Sequence, residues 1–174
     1  METTERVVEA YVRYVKGWAT IPNIRCGGQL EVDLLAIDMK TGERYHIETS
    51  VSVSAEFSKL TGKPFSREAL KDAVGGPSQT RTIGYFAERK FGDKNVRDKL
   101  QEYGFEEFHY KKIIVSWGWT REAEVEAERA KIELWDFRRI ILELAERHKK
   151  ERAYFMDDTV RTLHLLSLAQ SRSP

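Results

Sequence analysis

The sequence predicts an α/β protein built on a mixed central sheet flanked by helices. Three observations carry this. Early in the chain, three segments rich in β-branched and aliphatic residues are joined by tight turns, which demands antiparallel neighbours. Later, two short strands are separated by a helix, which demands a parallel crossover. The chain has 174 residues, 41% hydrophobic and 33% charged, enough for one packed domain with a heavily ionised surface.

Thr3 to Trp18 reads as a helix, because Val7, Val8, Tyr11, Val12 and Val15 recur at helical spacing. Thr4 is the expected cap, and Gly17 and Pro22 end the element. Ile21 to Cys26 is a short strand, followed by a Gly27-Gly28 turn. Leu30 to Asp38 is the clearest strand. Lys40-Thr41-Gly42 forms a hairpin turn into a third strand, Tyr45 to Val53. The stretch from Ser54 to Gly76 carries loop signals, with one short helix at Ser66 to Ala73. Gln79 to Lys90 and Asn95 to Tyr103 read as helices. Lys111 to Trp117 is a strand, Thr120 caps a helix running to about Ala130, and Ile132 to Trp135 is a brief strand. Asp136 to His148 is an amphipathic helix with Phe137, Ile140, Ile141 and Leu144 on one side, and Tyr154 to Ala169 is the last helix. The expected organisation is one domain over 1–150, with a basic helical insert at about 54–105, then a C-terminal helix and tail over 151–174.

Net charge is +1, which excludes a simple basic tail or an acidic solvating chain. No apolar run approaches the length of a bilayer, and the N-terminus carries no secretory stretch. Cys26 is the only cysteine, so an internal disulfide and a multi-cysteine zinc site are excluded. A soluble, cytoplasmic protein with no membrane partner is expected. Charge is uneven. Lys59 to Lys99 holds ten Lys plus Arg against five Asp plus Glu, whereas Met1 to Ser58 holds six against nine. An acidic site beside a basic patch suits a metal-dependent enzyme acting on a polyanion; ordinary surface scatter gives the same counts.

The sharpest chemical feature is a pair of acids inside adjoining strands, Asp33 in Glu31-Val32-Asp33-Leu34-Leu35 and Glu48 in His46-Ile47-Glu48-Thr49-Ser50. Carboxylates inside strands cost free energy unless they are paired or hold a cation. A hard cation such as Mg²⁺ takes one or two carboxylates together with water and phosphate oxygens. The alternative is two solvent-facing acids on an exposed sheet face. Strand alternation puts His46, Glu48 and Ser50 on one face, so Asp33, Glu48, Ser50 and His46 form one candidate cluster. His46 is either a ligand or base, or a structural histidine. Ser50 lacks the Gly-x-Ser-x-Gly context of a nucleophile.

These residues carry a resemblance. Glu31-Val32-Asp33-Leu34-Leu35-Ala36, a hairpin and His46-Ile47-Glu48-Thr49-Ser50 resemble the core of the PD-(D/E)XK nucleases, the restriction-endonuclease-like phosphodiesterases that include Mrr-type enzymes and Holliday junction resolvases. The closing strand–helix–strand–helix over 111–144 is similar to that of Mrr-type domains. The resemblance implies a restriction-endonuclease-like core and a Mg²⁺- or Mn²⁺-dependent endonuclease hydrolysing nucleic-acid phosphodiester bonds. It implies Asp33, Glu48 and the Thr49 carbonyl as metal ligands and Glu9 on the first helix as an assisting acid. Its partner would be nucleic acid, DNA in the first instance. The family pattern asks for Lys two residues after the glutamate, and Ser50 stands there. The catalytic set is therefore Glu9, Asp33, Glu48 and Ser50, with a displaced cation sought among Lys59, Lys63, Lys71 and Arg44. The alternative is a non-catalytic nucleic-acid-binding or structural relative of the same fold.

Arg81, Arg89, Lys90, Lys94 and Arg97 in the basic segment are the expected phosphate contacts, against the default of a solvated helix face. Gln79 is a further candidate at a helix start, and Trp117-Gly118-Trp119 is either core packing or a base-stacking platform. A homodimer is allowed by the resemblance, with Phe155, Met156, Leu163 and Leu166 on the last helix as its contact.

Overall fold

The structure, a computed structural model, describes residues 2–51, 59–65, 81–107, 109–150 and 157–171. The expected short helix at Ser66 to Ala73, the Gln79 position, Lys71, Phe155 and Met156 lie outside them.

Helix α1 spans Thr3–Tyr11 and continues as one wider π-helical turn, Val12–Lys16. Its cap is not Thr4 but Glu2. The Glu2 side chain accepts from the Glu5 amide, while Glu5 Oε2 accepts from the Glu2 N–H at 2.8 Å. Thr4 is instead buried in the first turn. The helix stops at Gly17, whose φ of 73° is easy only for a residue without Cβ.

Strands β1 (Ala19–Arg25), β2 (Glu31–Ile37) and β3 (Arg44–Ser50) follow. The β2–β3 turn is the expected one: Gly42 donates to the Asp38 carbonyl at φ 76°, and the Asp38 N–H bonds the Glu43 carbonyl at 2.9 Å. Then come α2 (Ile83–Tyr85, extended by a π-helical turn Phe86–Lys90) and α3 (Lys94–Glu102). Next are β4 (Lys111–Ser116), α4 (Arg121–Arg129), β5 (Ile132–Asp136), α5 (Phe137–Lys150) and α6 (Asp158–Ser171).

The five strands stand in sequence order. β1–β2 and β2–β3 are antiparallel; β3–β4 and β4–β5 are parallel, as the connections require. The result is a mixed five-stranded sheet covered by helices, in the α/β class.

The register decides which face each side chain takes. Leu34 pairs with Ile47 and Leu35 with His46. Leu34, Ala36, Tyr45, Ile47, Ile113 and Val115 pack under α1, α5 and α6, with Val7, Val8, Leu144 and Val160. Fully burying each such aliphatic is worth about 1.5–3 kcal/mol. Val160 is fully buried there, so the C-terminal helix belongs to the main core rather than to a separate tail. On the same helix Leu163 packs inward, while Leu165 and Leu166 are exposed. Trp117 packs near Phe137, with centroids 5.9 Å apart, which is the core role. On the opposite face Ile114 packs with Ile83, Phe86 and Phe91 of the α2 region, and Leu35 with Val96 and Leu100 of α3. That second face also takes Asp33, His46 and Glu48, opposite the aliphatic side of the same strands.

Candidate active site

The β2–β3 ladder pairs Leu34 with Ile47 on the side of the acids. One step further on each strand stand Asp33 and Glu48, on the face covered by α2 and α3. Glu48 and His46 have no solvent exposure, and Asp33 keeps 9%. Solvent-facing acids are thereby excluded. A buried carboxylate must find compensation, and the structure shows where it comes from.

The compensation is Lys90, the last residue of the π-helical turn ending α2. Its Nζ lies 2.5 Å from Glu48 Oε2 and 3.3 Å from Asp33 Oδ1, and it donates to the Glu31 carbonyl at 2.8 Å. The sequence assigned Lys90 to a phosphate-tracking surface. The fold instead turns it into the acid pair, because Lys90 lies on the apolar stripe of its helix, four residues after the buried Phe86 and seven after the buried Ile83. Lys59 and Lys63 are exposed, and Arg44 stands at the far end of β3 opposite Ile37, so none of these is the displaced cation.

The remaining bonds fix both carboxylates. The Thr49 N–H donates to Asp33 Oδ2 at 2.7 Å, and His46 Nε2 meets Glu48 Oε1 at 2.7 Å. Thr49 is thus seen tying down Asp33 through its amide. Ser50 is half-buried at the end of β3, next after Glu48 on the same face and paired across to Ser116. Glu9 is placed elsewhere: its Oε1 accepts from Thr20 Oγ1 at 3.0 Å and lies 3.8 Å from Arg13. The α1 acid that senses Asp33 is Glu5, one turn earlier. Burial raises its pKa first of all, the Glu2 amide opposes that, and the Asp33 charge adds to the rise.

The electrostatics leave the cluster short of positive charge. Burial, then the Glu48 charge, pushes Asp33 up to about 7 despite Lys90 and the Thr49 amide. Burial likewise pushes Glu48 up to about 7 against the pull of Lys90. Burial alone would lower Lys90, but Glu48 and Asp33 overcome it and hold the ammonium charged well above its ordinary range. Burial drives His46 down to about 3, so its ring is neutral. One ammonium faces two carboxyls. A hard divalent cation with carboxylate and main-chain oxygen ligands fits this donor set. Among the described residues no group of three His, Cys, Asp or Glu side chains converges as a fuller metal site.

The basic segment is less free than its composition suggested. Arg89 pairs with Asp93 at 2.6 Å, Lys94 with Asp98 at 2.5 Å and Arg97 with Glu107 at 2.9 Å. Arg81 is half-buried at the start of α2, its carbonyl accepting from the Thr61 N–H. The Lys94 and Arg97 pairs are exposed and worth about 0–1 kcal/mol each, whereas the Arg89–Asp93 pair is part-buried.

Because Ser50 brings no charge and Lys90 does, any metal-dependent cleavage of the kind the sequence resemblance implies should stay within about threefold of the unaltered protein in Ser50→Ala. A plasmid-nicking time course checks this, and a loss comparable to that of Asp33→Asn would return Ser50 to the catalytic set.

Known proteins add little to this geometry. No family model matches the chain, and no curated protein matches it. One solved structure that is similar is the crystal structure of AF1548, a protein of unknown function, at 18% identity and a TM-score of 0.48. The match covers 92% of this chain and 78% of that one. No helix among the described residues is long and apolar enough to cross a membrane.

Proposed function

We propose that the protein is a Mg²⁺- or Mn²⁺-dependent nuclease of restriction-endonuclease-like type, hydrolysing phosphodiester bonds in nucleic acid, with DNA as the first substrate to test. The observation that carries this reading is the ammonium of Lys90 set against two buried carboxylates on adjoining inner strands. Asp33 and Glu48, with the Thr49 carbonyl, would hold the ion. When bound it supplies an activated water and stabilises charge on the attacked phosphate.

Lys90 takes the part of the lysine that Ser50 displaced. Its ammonium is half-buried against the acids, charged, and also donates to the Glu31 carbonyl. A preorganised cation in a water-poor site stabilises charge developing on a phosphate oxygen. On α1, Glu5 is an acid whose carboxyl is raised by burial and further by the Asp33 charge. Arg89, Lys94 and Arg97 would exchange their carboxylate partners, exposed for Lys94 and Arg97 and part-buried for Arg89, for backbone phosphates.

A second reading has one observation in its favour. Lys90 gives the acid pair a structural use without any metal, so a non-catalytic nucleic-acid-binding relative could keep the cluster. The acid pair weighs against it, since with one ammonium between them both carboxyls are pushed up to about 7 and their ionisation costs stability for no return.

The test is cleavage of plasmid and single-stranded substrates in Mg²⁺ and Mn²⁺, with chelator controls. Cleavage should require the ion, and binding should weaken steeply between about 50 and 200 mM salt as phosphate counterions are released. No cleavage under any of these conditions, or salt-independent binding, would count against the reading.

A further inference from the structure

We infer that His46 is a positioning residue of this site, holding Glu48 by a hydrogen bond and seating the segment that delivers Lys90. The inference rests on the reading above and concerns a residue that is neither ligand nor base in it.

The ring has no exposure to solvent. It lies two residues before Glu48 on the same strand face, so the two side chains run side by side. Nε2 is 2.7 Å from Glu48 Oε1, while Nδ1 is buried with no hydrogen-bond partner among the described residues. These two facts assign the tautomer. A proton on Nδ1 would bury an unmatched donor and point the Nε2 lone pair at a carboxylate oxygen. A proton on Nε2 gives Glu48 Oε1 a donor and leaves only an acceptor unmatched, the cheaper arrangement. His46 therefore donates to Oε1. That leaves Oε2, the oxygen against Lys90, as the one directed into the site. A glutamate has several rotatable bonds, and fixing them in advance removes an ordering cost from metal binding.

The ring also carries a second load. Phe91 directly follows Lys90 and packs edge-on against His46, with centroids 4.6 Å apart and planes at 76°. Phe91 is 1% exposed, and its N–H closes the π-helical turn onto the Phe86 carbonyl at 2.8 Å. The lysine and the glutamate are thus referenced to the same imidazole. Neither ring nitrogen is open to solvent or substrate, because Nε2 is committed to Glu48 and Nδ1 is enclosed. That removes the ligand and base roles considered for this histidine.

The test compares the unaltered protein with His46→Gln, which keeps a donor near the Nε2 position, and His46→Leu, which fills the space without one. Long-range ¹H–¹⁵N spectra of the metal-free protein should show the His46 proton on Nε2. Mn²⁺ calorimetry should show affinity within a few-fold of the original for Gln and about 10–100-fold weaker for Leu. Nuclease kcat should follow the same order, with KM for nucleic acid unchanged. Circular dichroism confirms folding; if the Leu variant does not fold, the tautomer and the Gln variant still decide. A proton on Nδ1, a Gln variant as impaired as a misfolded or weak-binding Leu variant, or a Leu variant binding Mn²⁺ normally overturns the inference. The last outcome, with the original protein still binding Mn²⁺, removes this inference alone. Absence of Mn²⁺ binding in the original protein removes the metal reading and this inference with it.

Discussion

Lys90→Met should abolish cleavage by about 10²–10³-fold while leaving Mn²⁺ bound. Methionine keeps the apolar stem of the lysine and removes the ammonium, with its charge and its donors to Glu48, Asp33 and the Glu31 carbonyl. The lost ammonium is the group proposed to face the phosphate, and deleting one such preorganised donor costs about that factor. The metal-free variant should also be less stable, on the order of 3 kcal/mol near pH 8, because two buried carboxylates lose their compensating cation. The penalty should shrink toward pH 5, where the carboxyls take up protons and no longer need one. Arginine restores the charge but not the compact fit beside Glu48, so Lys90→Arg should recover stability more fully than activity. Single-turnover cleavage and thermal melts at the two pH values check this. A Met variant as active as the original would remove Lys90 from the mechanism.

The second large effect belongs to the acids. Asp33→Asn and Glu48→Gln should each lose metal-dependent cleavage by about three orders of magnitude. They should also change how metal-free stability depends on pH. In the fold both carboxyls titrate at about 7, above their unfolded values of 3.8 and 4.5. The folded state therefore binds more protons than the unfolded one between about pH 4 and 7. Their contribution is fully present below that window and is lost as pH rises through it. Metal-free protein should thus lose stability from pH 5 to 8, and Mg²⁺ or Mn²⁺ should restore it at pH 8 but hardly at pH 5. Removing either acid should flatten the slope by about half. Denaturant melts with chelator and with ion measure this, and a slope of opposite sign would contradict the burial-driven shift.

Much of this site was legible in the sequence, for local reasons. Alternation along a strand is a property of the backbone, so His46, Glu48 and Ser50 were placed on one face of their strand and Asp33 was joined to them only as a candidate. The Lys40-Thr41-Gly42 turn gave the hairpin, but the register that sets Asp33 on the Glu48 face, Leu34 opposite Ile47, is seen only in the fold. Lys90 was harder. Its distance from Glu48 along the chain is bridged only by the docking of α2 on the sheet, which no local rule gives. A signal existed all the same: a lysine at helical spacing from Ile83 and Phe86 sits on an apolar stripe, where an ammonium needs a buried partner. Counting it with Arg89 and Lys94 as surface charge concealed that. On α1 the sequence pointed to Glu9, which accepts from Thr20 and lies near Arg13, whereas Glu5, one turn earlier, is an acid whose carboxyl the Asp33 charge helps to raise; how a helix packs on a sheet is not written in its own spacing.

The central claim is that Asp33 and Glu48 together hold a divalent cation beside Lys90. Titrating Mn²⁺ into the metal-free protein by calorimetry, alongside Glu48→Gln, tests it most directly. The account predicts a saturable heat for one ion per chain near pH 8, absent in the Gln variant. No heat in the original protein, or an equal heat in the variant, would contradict it.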